Sequence, residues 1–361
     1  MTKVHKLIMA MDEEYPNLEY LIVKTPIGDN NNVFTFPETL QAPHLRHLTL
    51  GGFSLPAGSR LLTNAVGLVT LCLFMRHPST YFHPNTLLQW IPFMPQLETL
   101  VIRFSLPHEH DIERQLMHTP IITPITLPNL HYFRFEGVST YSEVLLRQIT
   151  IPRLEKLEIL FFNLLTFPVP PLLHLMDKTE NLKFDSARFR FFDNRASVSL
   201  YPREVETVPL VIAVNGWPPN RQVSSMAQIS NSHGQVFSAV EHLTLEHEAY
   251  RRYSEGHNDV DRSKWRQILK PFSNAKTLQI ANGLVEAVSR CLRLEDGELP
   301  LELLPELQEI KISRGDKNSD AFTTFINARK TAGRAVTLVR PSIKQTLFEA
   351  IRPHHIDEQW G

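Results

Sequence analysis

Apolar and polar residues follow one another in a phrase that returns roughly every 24–35 residues: an apolar residue, two variable ones, an apolar one, one variable, an apolar one. Copies beginning at Pro16, Pro43, Pro95, Pro128, Pro152 and Pro305 open with proline, as in Pro43-His44-Leu45-Arg46-His47-Leu48-Thr49-Leu50. The fourth position of each phrase supplies an anchor: Leu21, Leu48, Leu71, Leu100, Phe133, Leu157, Leu182, Leu243, Leu278 and Ile310. The interval between Leu182 and Leu243 is about two periods long, and Thr207-x-x-Leu210-x-Ile212 fits the missing copy. A last, weaker strand is Val336–Val339.

In an extended strand, side chains alternate between faces, so positions four and six share one face and positions three, five and seven the other. A single strand cannot bury its apolar side alone. Stacked in parallel, repeated strands bury a continuous core, and parallel neighbours require crossover connections, usually helical. Thr86–Ile91, Tyr141–Ile149 and Ser263–Leu269 have apolar residues at three- and four-residue spacing, which predicts those helices. The proline that recurs before the strands ends the preceding helix, because the residue before proline avoids the helical region. This is the pattern of a leucine-rich repeat, and its long, irregular period predicts an α/β solenoid. The expected fold is a right-handed horseshoe with a parallel concave sheet and a mostly helical convex side, since parallel crossovers are nearly always right-handed. Residues 1–341 form about 11–12 irregular units in this reading, and residues 342–361 a mobile tail.

The chain has 361 residues, with 37 basic and 38 acidic side chains and a net charge of −1. No overall field favours nucleic acid or an acidic membrane, so neither is an expected partner. Cys72 and Cys291 fall in distant repeats, which predicts free thiols and a reducing, intracellular setting, cytoplasmic or nuclear. The apolar stretch before Asp12 is too short for a secretory signal. The uncharged run Ile159–Met176 contains Pro168, Pro170 and Pro171, which favours a strand, turn and short helix over a membrane span.

The repeat loosens between Asn181 and Asn215, where extended segments or a hairpin are expected, and Arg221–Gly234 and His247–Arg262 read as polar surface loops. His108, His110 and His118 lack a partner at ligand spacing, so no metal is expected. Asp259-Val260-Asp261 lacks the glycine and terminal glutamate of a calcium loop. Arg314-Gly315-Asp316 is a turn after a strand. No catalytic motif is present in the sequence, so neither an enzyme nor a cofactor is expected.

The outward positions carry the candidate site. Position five reads Ile22, Thr49, Cys72, Val101, Arg134, Glu158, Lys183 and Val211 along the chain. Arg134, Glu158 and Lys183 are flanked at positions three and seven by Glu136, Lys156 and Asp185. These six residues form either a recognition patch for a protein partner on the concave face or a salt-bridged ladder that keeps the sheet soluble.

In the C-terminal third, Val223–Gln228, Val240–Leu245, Trp265–Phe272, Leu304–Ile310 and Phe325–Lys330 resemble, in order and spacing, the F-box proteins with leucine-rich repeats of mushroom-forming fungi. The likeness extends from about Tyr15 to Pro341. It implies the substrate-binding region of a receptor in a cullin-type ubiquitin ligase. An F-box would dock a Skp-type adaptor. Only Met1–Tyr15 precede the first strand here, so adaptor docking is expected only if an F-box is encoded upstream. The alternative expectation is a scaffold or inhibitor that binds a protein partner without ligase assembly.

Overall fold

The structure is a computed structural model and describes residues 14–25, 34–105, 124–162, 184–203, 208–216, 218–232, 234–248, 255–280, 283–295, 297–312 and 319–339. The chain divides into two compact units. The first comprises Met1–Phe184 and Asn194–Trp217, the second Asp185–Asp193 and Pro218–Gly361.

In the first unit the chain runs through β1 (Tyr20–Lys24), β2 (Phe34–Thr35), β3 (His47–Gly51), β4 (Phe53–Ser54), α1 (Arg60–Thr63), β5 (Thr70–Met75) and α2 (Pro84–Trp90). It continues with β6 (Thr99–Phe104), β7 (Ile125–Thr126), β8 (Tyr132–Gly137), α3 (Ser139–Leu146), β9 (Ile149–Thr150) and β10 (Lys156–Phe161). After β11 (Ser186–Phe192), which belongs to the second unit, come β12 (Arg195–Tyr201) and β13 (Leu210–Asn215). The strands of the main sheet lie in the order β1-β3-β5-β6-β8-β10-β13-β12. All these pairs are parallel except β12 with β13.

The register follows the repeat. Leu21, Leu48, Leu71, Leu100, Phe133, Leu157 and Leu210 stand opposite one another from strand to strand, and all are buried. Two expectations change. The copy at Leu210 is a strand, but it is placed between β10 and β12, not after a strand at Leu182; Leu182 lies outside the described residues. The connections are also less helical than expected: β2 pairs with β4 and β7 with β9 inside the crossovers. Their Phe, Ile and Thr residues favour extended backbone over a helical turn. The expected helices appear as α2 and α3. Pro84 opens α2, and the His83 side chain caps it by accepting from the Asn85 N–H at 3.1 Å.

Beneath this sheet Phe82, Phe104, Phe135 and Tyr141 pack ring on ring, with Phe104–Tyr141 centroids 4.9 Å apart and Phe135–Tyr141 stacked at 5.7 Å. On the outward side, Gly51 ends β3. A Cβ there would meet the Lys24 Cγ at 3.2 Å, so the missing side chain is what lets Lys24 lie across this position toward Phe74.

The second unit contains β11, α4 (Pro219–Ser232), α5 (Gly234–Ser238), β14 (His242–Glu248), α6 (Glu255–Asn258), α7 (Arg262–Leu269), β15 (Thr277–Ile280), α8 (Val285–Leu292), β16 (Glu309–Ile312), α9 (Thr323–Thr331) and β17 (Thr337–Val339). Its strands follow the order β11-β14-β15-β16-β17 and are parallel. Here Ala187, not Leu182, stands at the anchor position beside Leu243, Leu278, Ile310 and Leu338.

The two stretches read as polar loops contain helices. In α4, Val223, Met226, Ala227 and Ser230 are buried at helical spacing, and the serine in the fourth place hides the stripe from a hydropathy reading. In the second stretch, α6 brings His257 into the interior. Its ring lies 4.7 Å from that of His247 on β14 and 5.3 Å from Phe191, and Trp265 of α7 completes the group. Among the described residues neither His257 ring nitrogen has a hydrogen-bond partner, nor has the Trp265 indole N–H. Burial holds the His257 pKa down at about 4, with the adjacent His247 acting in the same direction. Burial also lowers that of His247, against the opposing pull of Asp193.

Asp261, of the Asp259-Val260-Asp261 run, caps α7 by accepting from the Ser263 N–H at 2.8 Å. Cys72 and Cys291 are free thiols. Among the described residues no helix is long and apolar enough to cross a membrane. The segments holding His108, His110 and His118, Pro168–Met176, Arg314-Gly315-Asp316 and residues 342–361 lie outside the described residues.

Candidate interaction face

The outward side of the first unit is made of three rows that cross the strands. Position five runs Ile22, Thr49, Cys72, Val101, Arg134, Glu158 and Val211. Position three runs Tyr20, His47, Thr70, Thr99, Tyr132 and Lys156, and position seven runs Lys24, Gly51, Phe74, Arg103 and Glu136. Strand alternation puts these residues outward as surely as it puts the leucines inward.

At the β1 end the face is apolar and exposed. Tyr20 is 61% and Ile22 65% exposed, and the Tyr20 ring stacks on His47 at 4.5 Å. The middle is neutral, with threonines and Cys72, whose thiol is pushed up by burial. At β6, β8 and β10 the face becomes ionic. Arg103 Nε donates to Glu136 Oε2 at 2.6 Å. Arg134 lies between the two carboxylates, 3.9 Å from Glu136 Oε2 and 3.2 Å from Glu158 Oε2. Lys156 Nζ reaches Glu158 Oε1 at 2.7 Å and stands over the Tyr132 ring at 4.9 Å.

Electrostatics follow from this sequence of charges. Partial burial and then the neighbouring Glu158 push the Tyr132 hydroxyl up to about 12, so it stays protonated and hydrogen-bonded with Arg134 and Glu158. Burial works against the charged form of Arg134, but Glu158, Tyr132 and Glu136 more than offset it, and its pKa is raised.

Of the six residues expected in the patch, Arg134, Glu136, Lys156 and Glu158 come together in this way. Asp185 belongs to the second unit, and Lys183 lies outside the described residues. The expected side-by-side run of Arg134, Glu158 and Lys183 is corrected: β10 is flanked by β8 and β13, so Val211 stands across from Glu158. Strand order in a sheet is not chain order when a strand folds back, as β13 does. Glu158 is also buried, not displayed.

Three participants were missed. Arg103, Tyr132 and Lys24 occupy positions seven and three, and reading all three outward rows would have found them. Lys24 Nζ and Arg103 Cζ each lie 5.5 Å from the centroid of the Phe74 ring.

No family model matches the chain, and no curated protein matches it. Among solved structures it aligns with the leucine-rich repeat-containing protein LegL7 from Legionella pneumophila over 93% of this chain and 96% of that one, with 9% identity and a TM-score of 0.29. The repeat architecture therefore rests on the strand register and crossovers described above.

Proposed function

We propose that this chain is a protein-recognition module whose first unit binds its partner on the outward face of the parallel sheet. The observation that supports it is the continuity of that face: three in-register rows, with exposed Tyr20 and Ile22 at one end and an ordered ion ladder at the other. Interfaces combine exposed aromatic and aliphatic anchors with arginine in this way. The finer reading is a right-handed horseshoe acting inside the cell as the substrate-binding part of an F-box receptor, with no chemistry of its own. The handedness is supported by the parallel crossovers, the intracellular setting by the free thiols, and the F-box role by the C-terminal sequence signature alone.

The experiment is affinity purification of the tagged full chain, run in parallel with Thr49→Arg, which places a long cation in the middle row. A partner recovered by the parent and lost by the variant is the expected result. Partners that bind both equally would overturn the face assignment. Co-recovery of a Skp-type adaptor and a cullin would support the ligase role, and a face-dependent partner recovered without them would remove that role while leaving recognition intact.

A further inference from the structure

The ladder across β6, β8 and β10 holds three cations and two carboxylates, and the two signs are not equally displayed. The Glu136 and Glu158 side chains are 13% and 11% exposed, whereas those of Arg103 and Lys156 are 31% and 43% exposed. Each carboxylate already has two cationic neighbours: Arg103 and Arg134 for Glu136, Arg134 and Lys156 for Glu158. Both ends of the series are therefore cationic. Arg103 engages Glu136 through Nε, and among the described residues its two terminal nitrogens have no partner. A guanidinium in that state still offers the paired donors that match a carboxylate.

The surroundings add to this sign. Arg103 shares the Phe74 ring with Lys24, reached over Gly51, so two cations flank one partly exposed aromatic face. The residues next along the rows, Val101, Thr99, Cys72 and Val211, are uncharged. Acidic side chains do occur at the strand entrances, where Glu98 and Glu155 are exposed, but they precede the outward rows. Among the described residues, what the middle of the face presents is positive charge fixed over buried carboxylates, with uncharged neighbours along the rows.

We infer that this face takes an extended acidic segment of a partner protein, its carboxylates meeting Arg103 and Lys156 while its backbone crosses β8 between them. The inference rests on the recognition role proposed above. Strands in a sheet lie about 4.8 Å apart, and an extended peptide advances about 3.4 Å per residue. Arg103 and Lys156 stand two strands and four residues apart, about 16 Å on the diagonal. An acidic residue at every second position offers same-face carboxylates about 14 Å apart, which these two long side chains can reach together. The charge match fixes which segment is accepted, while the exposed Tyr20 and Ile22 lie on the apolar flank of the same surface.

The test uses the full chain and three fluorescein-labelled ten-residue peptides of alternating Glu-Gly, Gln-Gly and Lys-Gly, read by fluorescence anisotropy at low and at physiological salt. The expected result is binding of the Glu-Gly peptide at least tenfold tighter than of the other two, weakened by salt. Arg103→Gln and Lys156→Gln should each reduce that affinity at least threefold. Arg103→Lys should retain part of it, and Lys330→Gln on α9 of the second unit should leave it unchanged. Unchanged thermal melting of the variants separates lost contact from lost fold. Preference for the Lys-Gly peptide, equal loss on Lys330→Gln, or tighter binding of oligo(dT) than of the Glu-Gly peptide would each overturn the inference. A captured partner that depends on Thr49 but not on Arg103 or Lys156 would overturn the acidic class and leave recognition standing. Partners indifferent to all three positions would overturn recognition itself.

Discussion

Each unit carries an aromatic cluster under its sheet, and the two clusters differ in one respect that matters. In the first unit Phe82, Phe104, Phe135 and Tyr141 interlock. In the second, Phe191, His247, His257 and Trp265 do the same at closely similar spacings. His247 holds an inward strand position, four residues past its anchor Leu243, just as Phe104 stands four past Leu100. A histidine ring fills the space of a phenylalanine as long as it is neutral. On His257, whose ring nitrogens have no hydrogen-bond partner among the described residues, one proton turns the same packing into a buried, unpaired charge. The first cluster contains nothing that ionises near neutral pH, since burial holds the Tyr141 hydroxyl well above its ordinary range. Similar packing thus gives one aromatic cluster that is indifferent to acid and one that is not.

The largest effect should come from removing the anchors common to both units. Leu100→Ala in the first and Leu278→Ala in the second delete fully buried side chains and should each cost about 2–5 kcal/mol in urea unfolding. A cost below about 1 kcal/mol at either would mean that its sheet is not the core described here.

Acid should then separate the units. A histidine whose pKa lies near 4 in the folded state and 6.5 when unfolded favours unfolding once protons bind. Stability of the second unit should be fully present above pH 6.5 and fall as the pH drops from 6.5 toward 4, by about 2–3 kcal/mol. Hydrogen exchange at pH 7.5 and 5 reads the units separately. Amides of β14 and α7 should lose protection at the lower pH, and His257→Phe should remove the part of the loss due to that ring. Equal acid sensitivity of β5 and β6 would break the comparison.

The outward faces give smaller effects. A double-mutant cycle on Arg134 and Glu158 should return a coupling of about 1 kcal/mol, because both side chains are partly buried and fixed by neighbours. The Glu241–Lys276 pair of the second unit, at 2.7 Å but well exposed, should couple by less than about 0.5 kcal/mol. A larger value at the exposed pair than at the ladder would reverse the electrostatic contrast between the units.

Much of this was legible in the alternation of residues. The anchors from Leu21 to Leu157 lie in register as the phrase requires, because period two is a local property of the chain. Helices α2, α3 and α7 followed from apolar spacing for the same reason. What the sequence hid depends on non-local pairing or on polar residues in buried places. The insertion of β13 beside β10 is a choice of neighbour, which no repeat count reveals. Helix α4 was obscured by Gln222, Ser225 and Ser230, polar residues that end up inside. His247 and His257 look like loop residues in the sequence because hydropathy treats an imidazole as polar, whatever its charge. Four of the six residues expected in the patch meet one another because outward charges on adjacent strands must interact. Their partial burial was not legible, since it depends on how long neighbouring side chains fold over them.

The ladder has a consequence for the kinetics and specificity of any encounter on this face. Long cationic side chains usually sample many rotamers in solution, and a ligand must arrest that motion at a cost of about 0.5–1.5 kcal/mol per side chain. Arg103, Arg134 and Lys156 are already held against Glu136, Glu158 and the Phe74 and Tyr132 rings, so much of that freedom is lost when the chain folds. The same restraint reduces their capacity to rearrange around a mismatched ligand. A pre-ordered surface of this kind rewards a narrow range of shapes and penalises the rest through poor fit.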